Sequence, residues 1–105
     1  MSFSLRLILL LSFLTLVNAQ GSGTLTGVIN EASNKSGLPG VNVMVKGTYY
    51  GAASDLEGRY RIDNISPGSY DIEVSMIGYK IILKTGVTIG PGEIIDLDFN
   101  MEETV

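Results

Sequence analysis

The stretch Pro67-Gly68-Ser69-Tyr70-Asp71-Ile72-Glu73-Val74-Ser75-Met76 decides the fold. From Tyr70 onward, Tyr70, Ile72, Val74 and Met76 alternate with Asp71, Glu73 and Ser75. Successive side chains of an extended chain point to opposite faces, so this is a strand with one face in a core and the other in water. A slip of one residue would bury two carboxylates, which fixes the register strongly. The preceding Pro67-Gly68 reads as a type II turn, in which proline presets the first central residue and glycine supplies positive φ at the second.

The same period recurs on both sides. Upstream, Leu25, Gly27 and Ile29 share one face of a first strand, opposite Thr24, Thr26 and Val28. Glu31 to Gly40 is polar and turn-rich, a loop stiffened by Pro39. Val41, Val43 and Val45 alternate with Asn42, Met44 and Lys46, a pattern of β-branched residues suited to a half-buried strand. Gly47 permits a bend. Tyr49 to Ser54 and Arg59 to Ile62 flank Asp55-Leu56-Glu57-Gly58 and read as a hairpin with Gly58 at positive φ. Tyr60 and Ile62 then face the core, with Arg59 and Arg61 in water.

Downstream, Gly78-Tyr79-Lys80 breaks the strand that defines the pattern. Ile81 to Ile89 forms a less regular strand interrupted at Gly86, and Pro91-Gly92 makes a further turn. Ile95, Leu97, Phe99 and Met101 share the last apolar face, opposite Asp96, Asp98 and Asn100. About seven strands fit in roughly 80 residues with no helical periodicity among them. A single sheet would leave its apolar face open with no helix to cover it. The expected architecture is therefore all-β: a seven-stranded antiparallel β-sandwich.

Residues 1–19 have a different character. Arg6 supplies a positive start, Leu7 to Val17 form an apolar run broken only by Ser12 and Thr15, and Val17-Asn18-Ala19 suits a signal peptidase. A membrane-spanning helix competes for this segment but needs about 20 apolar residues, roughly twice the run present. The expectation is a cleaved signal peptide over 1–19 and a single domain over 20–105, with no membrane span in the mature chain. No cysteine follows the cleavage site, which excludes a lipoprotein anchor, and the chain has no cysteine for a disulfide. The mature 86 residues carry six basic and eleven acidic side chains, a net charge near −5. That balance disfavours binding to a phosphate backbone, so nucleic acid is not an expected partner.

The ordered segments carry a family resemblance. Gly23-Thr24-Leu25-Thr26-Gly27-Val28, Leu38-Pro39-Gly40-Val41-Asn42-Val43, Val45-Lys46-Gly47-Thr48, Asp55-Leu56-Glu57-Gly58-Arg59-Tyr60, Pro67-Gly68-Ser69-Tyr70 and Ile77-Gly78-Tyr79 occur in that order. Together they resemble the carboxypeptidase-regulatory-like domain, in the version at the N-terminus of TonB-dependent outer-membrane receptors of Bacteroidetes, including the starch-utilisation (SusC) type. The resemblance implies a transthyretin-like (prealbumin-like) sandwich and a location at the periplasmic face of the outer membrane. In such receptors the domain precedes a TonB-contacting segment, a plug and a barrel. Eighty-six residues cannot supply a plug and barrel, so the chain is expected to be either a fragment of a receptor or a freestanding accessory domain.

Reactive chemistry finds little support. There is no histidine and no cysteine, and no serine has an identifiable base, which an activated serine requires. Asp71 with Glu73, and Asp96 with Asp98, alternate with core residues and read as a solvated outer face rather than as the paired acids of a glycosidase. Asp55-Leu56-Glu57-Gly58 lacks the later ligands of a calcium loop. Asn34-Lys35-Ser36 and Asn64-Ile65-Ser66 match glycosylation sequons that carry no meaning in a bacterium. The expectation is no enzyme, no catalytic residue, no metal and no cofactor.

Tyr49, Tyr50 and Tyr79 are the candidates for ligand stacking, because aromatic rings supply flat apolar area with a polar tip. Tyr60 and Tyr70 are assigned to packing, with Tyr70 bonding backbone near its turn as a tyrosine corner does. The leading functional reading is an accessory domain that contacts envelope or outer-membrane receptor proteins through a sheet edge or face, with the first and last strands as candidate edges. A carbohydrate-binding module with a glycan partner and a structural spacer are the alternatives.

Overall fold

The computed structural model describes residues 21–104. The leader expected over residues 1–19 lies outside them. Eight strands follow: β1 (Gly23–Glu31), β2 (Asn42–Val45), β3 (Gly51–Ala53), β4 (Arg59–Ile65), β5 (Gly68–Ser75), β6 (Ile82–Ile89), β7 (Ile94–Asp96) and β8 (Phe99–Met101). One sheet has the order β4-β1-β7, with β8 also paired to β1, and the other has the order β3-β2-β5-β6.

The alternating residues meet between the two sheets. Leu25 and Ile29 of β1, Val43 and Val45 of β2, Tyr60 and Ile62 of β4, Ile72 and Val74 of β5, and Phe99 and Met101 of β8 are all buried in one cluster. Each large aliphatic side chain so buried contributes about 1.5–3 kcal/mol. Arg59 and Arg61 face water, as their period demands. One of the two buried polar residues among those described is Ser54, whose hydroxyl donates to the Leu38 carbonyl at 2.6 Å and accepts from the Val41 amide at 2.8 Å. It ties the long β1–β2 loop to the end of β3.

The sandwich differs from its expected form in five details. Eight strands replace seven because the last one is divided. β7 and β8 pair with β1 at the same separation of seventy residues, Thr24 with Ile94 and Ile29 with Phe99, so the register is unchanged across the break. These two pairings are parallel, whereas the other four are antiparallel. β1 is consequently the centre of its sheet and not an edge.

Asp55 to Gly58 does not close a hairpin. β3 pairs with β2 and β4 pairs with β1, so this turn crosses from one sheet to the other. The Asp55 carboxylate accepts the amides of Glu57 and Arg59 at 3.0 and 2.9 Å and closes the turn. Gly58 has φ 82°, as expected, and a Cβ there would lie 2.3 Å from the Ile29 carbonyl oxygen. Gly68 opens β5 without positive φ; the left-handed residue before that strand is Asn64, at φ 60°. The Tyr70 ring lies over Gly68, and its hydroxyl donates to the Ser66 carbonyl at 2.5 Å, the corner bond expected of it.

β6 is an edge strand bent at its middle. Tyr70 pairs with Val87 but Ile72 pairs with Lys84, so Asp71 alone opposes Thr85 and Gly86. This is a β-bulge with Gly86 at φ 67°, and the Gly86 amide donates to the Asp71 carboxylate at 3.1 Å.

The parallel pairing sends the chain in at one end and out at the other. Ser22 accepts the Gly92 amide at 3.1 Å, which places the start of β1 beside the β6–β7 turn. At the far end Thr104 donates to Gly78 at 2.9 Å and Lys80 donates to Glu102 at 2.9 Å, so the chain leaves along the β5–β6 connection.

Candidate functional site

The three candidate tyrosines do not form one platform. Tyr50 bonds Ser66 at the start of β5, whereas Tyr79 lies beyond the end of the same strand. Eight extended residues at about 3.4 Å each separate them. Tyr49 and Tyr50 therefore occupy one end of the sandwich and Tyr79 the other.

Their environments also differ. Tyr49 is fully exposed. Tyr50 is half-buried against the core, and its hydroxyl shares a hydrogen bond with the Ser66 hydroxyl at 3.1 Å, which pulls the phenol below the usual tyrosine range. Its ring and its polar tip are both already used in holding the β4–β5 turn. Tyr79 is half-buried beside the outgoing chain, in an antiparallel bridge with Glu103. Burial first, then Glu103 and Glu31, raise its phenol above the usual value.

Two shallow grooves lie at the Tyr79 end of the sandwich. One, of about 320 Å³, is lined by Glu31, Ser33, Glu102 and Glu103. Glu31 is buried and accepts both the Ser33 hydroxyl and the Ser33 amide, the latter at 2.7 Å; these bonds hold its carboxyl below the usual carboxylate range. Among the described residues no group of three or more histidine, cysteine, aspartate or glutamate side chains could hold a metal ion. The other groove, of about 340 Å³, is lined by Asn42, Ser75, Ile77, Tyr79 and Ile81.

The second groove opens onto an apolar patch that sequence reading did not single out. On the outer face of the β3-β2-β5-β6 sheet, Met44 lies across from Glu73, and Glu73 lies across from Leu83. Met44, Leu83, Ile81 and Ile77 are all exposed. Lys46 pairs with Glu73 at 3.6 Å within the same surface, an exposed contact that contributes little to stability. The sequence did hold a signal: Ile81-Ile82-Leu83 is an unbroken apolar run, and in a strand with one buried face at least one of those three must point outward; here Ile81 and Leu83 do.

The family model described as CarboxypepD_reg-like domain matches residues 25–105. The chain belongs to this family. Among similar proteins, the TonB-dependent receptor P39 of Formosa agariphila is 35% identical over 96 residues, covering 91% of this chain and 9% of that receptor. The TonB-dependent receptor P3 of the same organism is 29% identical over 101 residues, covering 91% of this chain and 10% of that receptor. The CarboxypepD_reg-like domain described above thus spans about a tenth of the length of the curated relatives it matches.

Solved structures share the fold. A chain of the type II cohesin-X-dockerin complex of Acetivibrio cellulolyticus aligns with TM-score 0.67 and 19% identity, covering 77% of this chain and 58% of that one. The Bacillus anthracis TIE protein aligns with TM-score 0.60 and 17% identity, covering 80% of this chain and 17% of that one. No helix among the described residues is long and apolar enough to cross a membrane.

Proposed function

We propose that this CarboxypepD_reg-like domain is a non-catalytic accessory part of a TonB-dependent outer-membrane receptor system. It is exported behind a leader over residues 1–19 and works by protein contact on the periplasmic side. The observation that carries the reading is the match of 91% of the chain to TonB-dependent receptors. The Met44, Leu83, Ile81 and Ile77 patch supplies the contact surface, since adjacent exposed apolar side chains mark interaction sites in a way that single ones do not. Contact is through this sheet face and not by strand addition at β6 or at β7/β8. The bulge at Gly86 bends the β6 edge, and the opposite sheet's β7/β8 edge is broken at Leu97-Asp98.

The occupant of the patch is the receptor that carries the domain. The outgoing chain is bonded to Gly78, one residue from Ile77, so whatever follows emerges beside the patch. A photo-crosslinking residue at Leu83 of the full-length receptor, in its own envelope, tests the reading. Crosslinks within the receptor or to an envelope partner are expected from Leu83 and not from Arg61 on the other sheet. No crosslink from Leu83 would overturn it.

A structural spacer that binds nothing is a second reading, favoured by the exit of Thr104 at the end of the sandwich remote from Ser22. Deleting the domain from its receptor separates the two. A spacer loss is restored by an unrelated domain of similar length, and a contact loss is not. A glycan partner rests on Tyr49 alone, because Tyr50 is engaged with Ser66 and Tyr79 lies at the far end. Calorimetry with starch before and after Tyr49→Ala tests that reading.

A further inference from the structure

We propose that the domain is mechanically strong against a pull between Ser22 and Thr104, and that the β1–β7/β8 seam is the main element that resists it. This goes beyond the accessory role above and does not depend on which partner the patch meets. It follows from the direction of two neighbouring strands.

β1 and the β7/β8 pair run parallel, side by side, in one unchanged register. A pull on the chain before β1 and after β8 therefore acts along the strand axes, in opposite senses on adjacent strands. Such a pull shears the seam. The bonds of a parallel ladder are evenly spaced, so they are loaded together and none opens ahead of the others. A pull across a ladder instead concentrates on the terminal bond and opens one bond at a time.

The seam is bonded from end to end, including the place where it is interrupted. Thr24 donates to Glu93 at 2.9 Å and Ala32 donates to Met101 at 2.9 Å, so bonds close both extremities. At the break, Leu97 donates its amide to Thr26 at 2.8 Å. Asp98 then lends its side chain where the ladder has no backbone acceptor: the Val28 amide donates to the Asp98 carboxylate at 2.8 Å. Tyr60 on β4 reaches across β1 and donates its hydroxyl to the Leu97 carbonyl, pinning the break from the far side. Of the sheet β3-β2-β5-β6, only the β5–β6 connection shares the load at the outset, through the bonds of Gly78 and Lys80 to the outgoing chain.

The chain has no cysteine, so pairs introduced into the full chain give unique attachment points for single-molecule pulling. Ser22→Cys with Thr104→Cys loads the seam in shear. Ser22→Cys with Asp63→Cys loads the antiparallel β1–β4 pair across its bonds, because those two residues sit at the same end of adjacent strands. Forced rupture reports the barrier in the pulled direction. At equal pulling speed, the Ser22–Thr104 pair is expected to rupture at no less than about twice the force of the Ser22–Asp63 pair, as shear loads the whole ladder. Asp98→Ala is expected to lower the first force and leave the second unchanged, whereas Asp98→Asn, which keeps an acceptor oxygen, retains it. Equal forces in the two directions would overturn the proposal, as would Asp98→Ala lowering both alike.

Discussion

The hydroxyl of Tyr60 donates to the carbonyl oxygen of Leu97 directly over the bare Cα of Gly27. Three strands meet at this point: β4 supplies the donor, the β7–β8 break supplies the acceptor, and β1 passes between them. The tyrosine ring packs near Phe99, with centroids 6.4 Å apart. Removing the hydroxyl leaves the Leu97 carbonyl without that donor. Tyr60→Phe is expected to cost about 1 kcal/mol, the net worth of one part-buried hydrogen bond. Urea unfolding with an unchanged slope checks it.

The same phenol makes stability fall at alkaline pH. Burial first, then Asp98 and Asp96, push the Tyr60 pKa well above the usual tyrosine value. An unfolded tyrosine ionises near pH ~10. Above that pH the unfolded chain releases the proton while the folded chain keeps it, so stability falls as pH rises. Below it both states hold the proton and the contribution is fully present. Urea midpoints measured at about pH 8 and about pH 11 should separate in the native chain and lie closer together in Tyr60→Phe.

Gly27 admits no side chain. A Cβ there would lie 2.0 Å from the Leu97 carbonyl oxygen and 2.9 Å from the Tyr60 ring. Gly27→Ala must therefore push the β7–β8 break off β1 and lose the Tyr60 bond with it. A cost of about 2–4 kcal/mol is expected, combining overpacking with a lost buried bond. The thermal midpoint checks the size. Hydrogen exchange at the Val28 and Leu97 amides checks the place, since both should lose protection before the β2–β5 pair does.

Ser54 is a separate test of the polar interior. Its hydroxyl is both donor to Leu38 and acceptor from Val41. Ser54→Ala leaves both backbone groups unpaired and is expected to cost about 1–3 kcal/mol. Ser54→Thr, which keeps the hydroxyl, should recover part of the loss in the same urea measurement.

Which residues face the core was legible in the sequence, because a period of two survives any arrangement of strands. Tyr60, Ile62, Ile72 and Val74 could be assigned inward from alternation alone, and Gly40, Gly58 and Gly92 could be assigned to turns, where each has positive φ. Neighbours were not legible. Alternation says which way a side chain points, not which strand lies beside it, so Asp55 to Gly58 reads as a hairpin although it joins two sheets. The need for glycine at position 27 comes from a carbonyl seventy residues away, and nothing local announces it. The candidate site was legible least of all. Single tyrosines are easy to notice, but the exposed patch depends on Met44 and Leu83 lying on either side of Glu73 on one face, which requires the β2–β5–β6 register.

The bulge at Gly86 has a consequence for molecules held close to one another. A chain this rich in valine and isoleucine, with no disulfide to preserve its fold, is the kind that stacks into fibrils when a straight strand lies open. Here Asp71 occupies the Gly86 amide and the strand turns aside at that residue. Along β6 this shortens the straight stretch of backbone that a neighbouring copy could template on. Copies crowded side by side find no straight template along that strand.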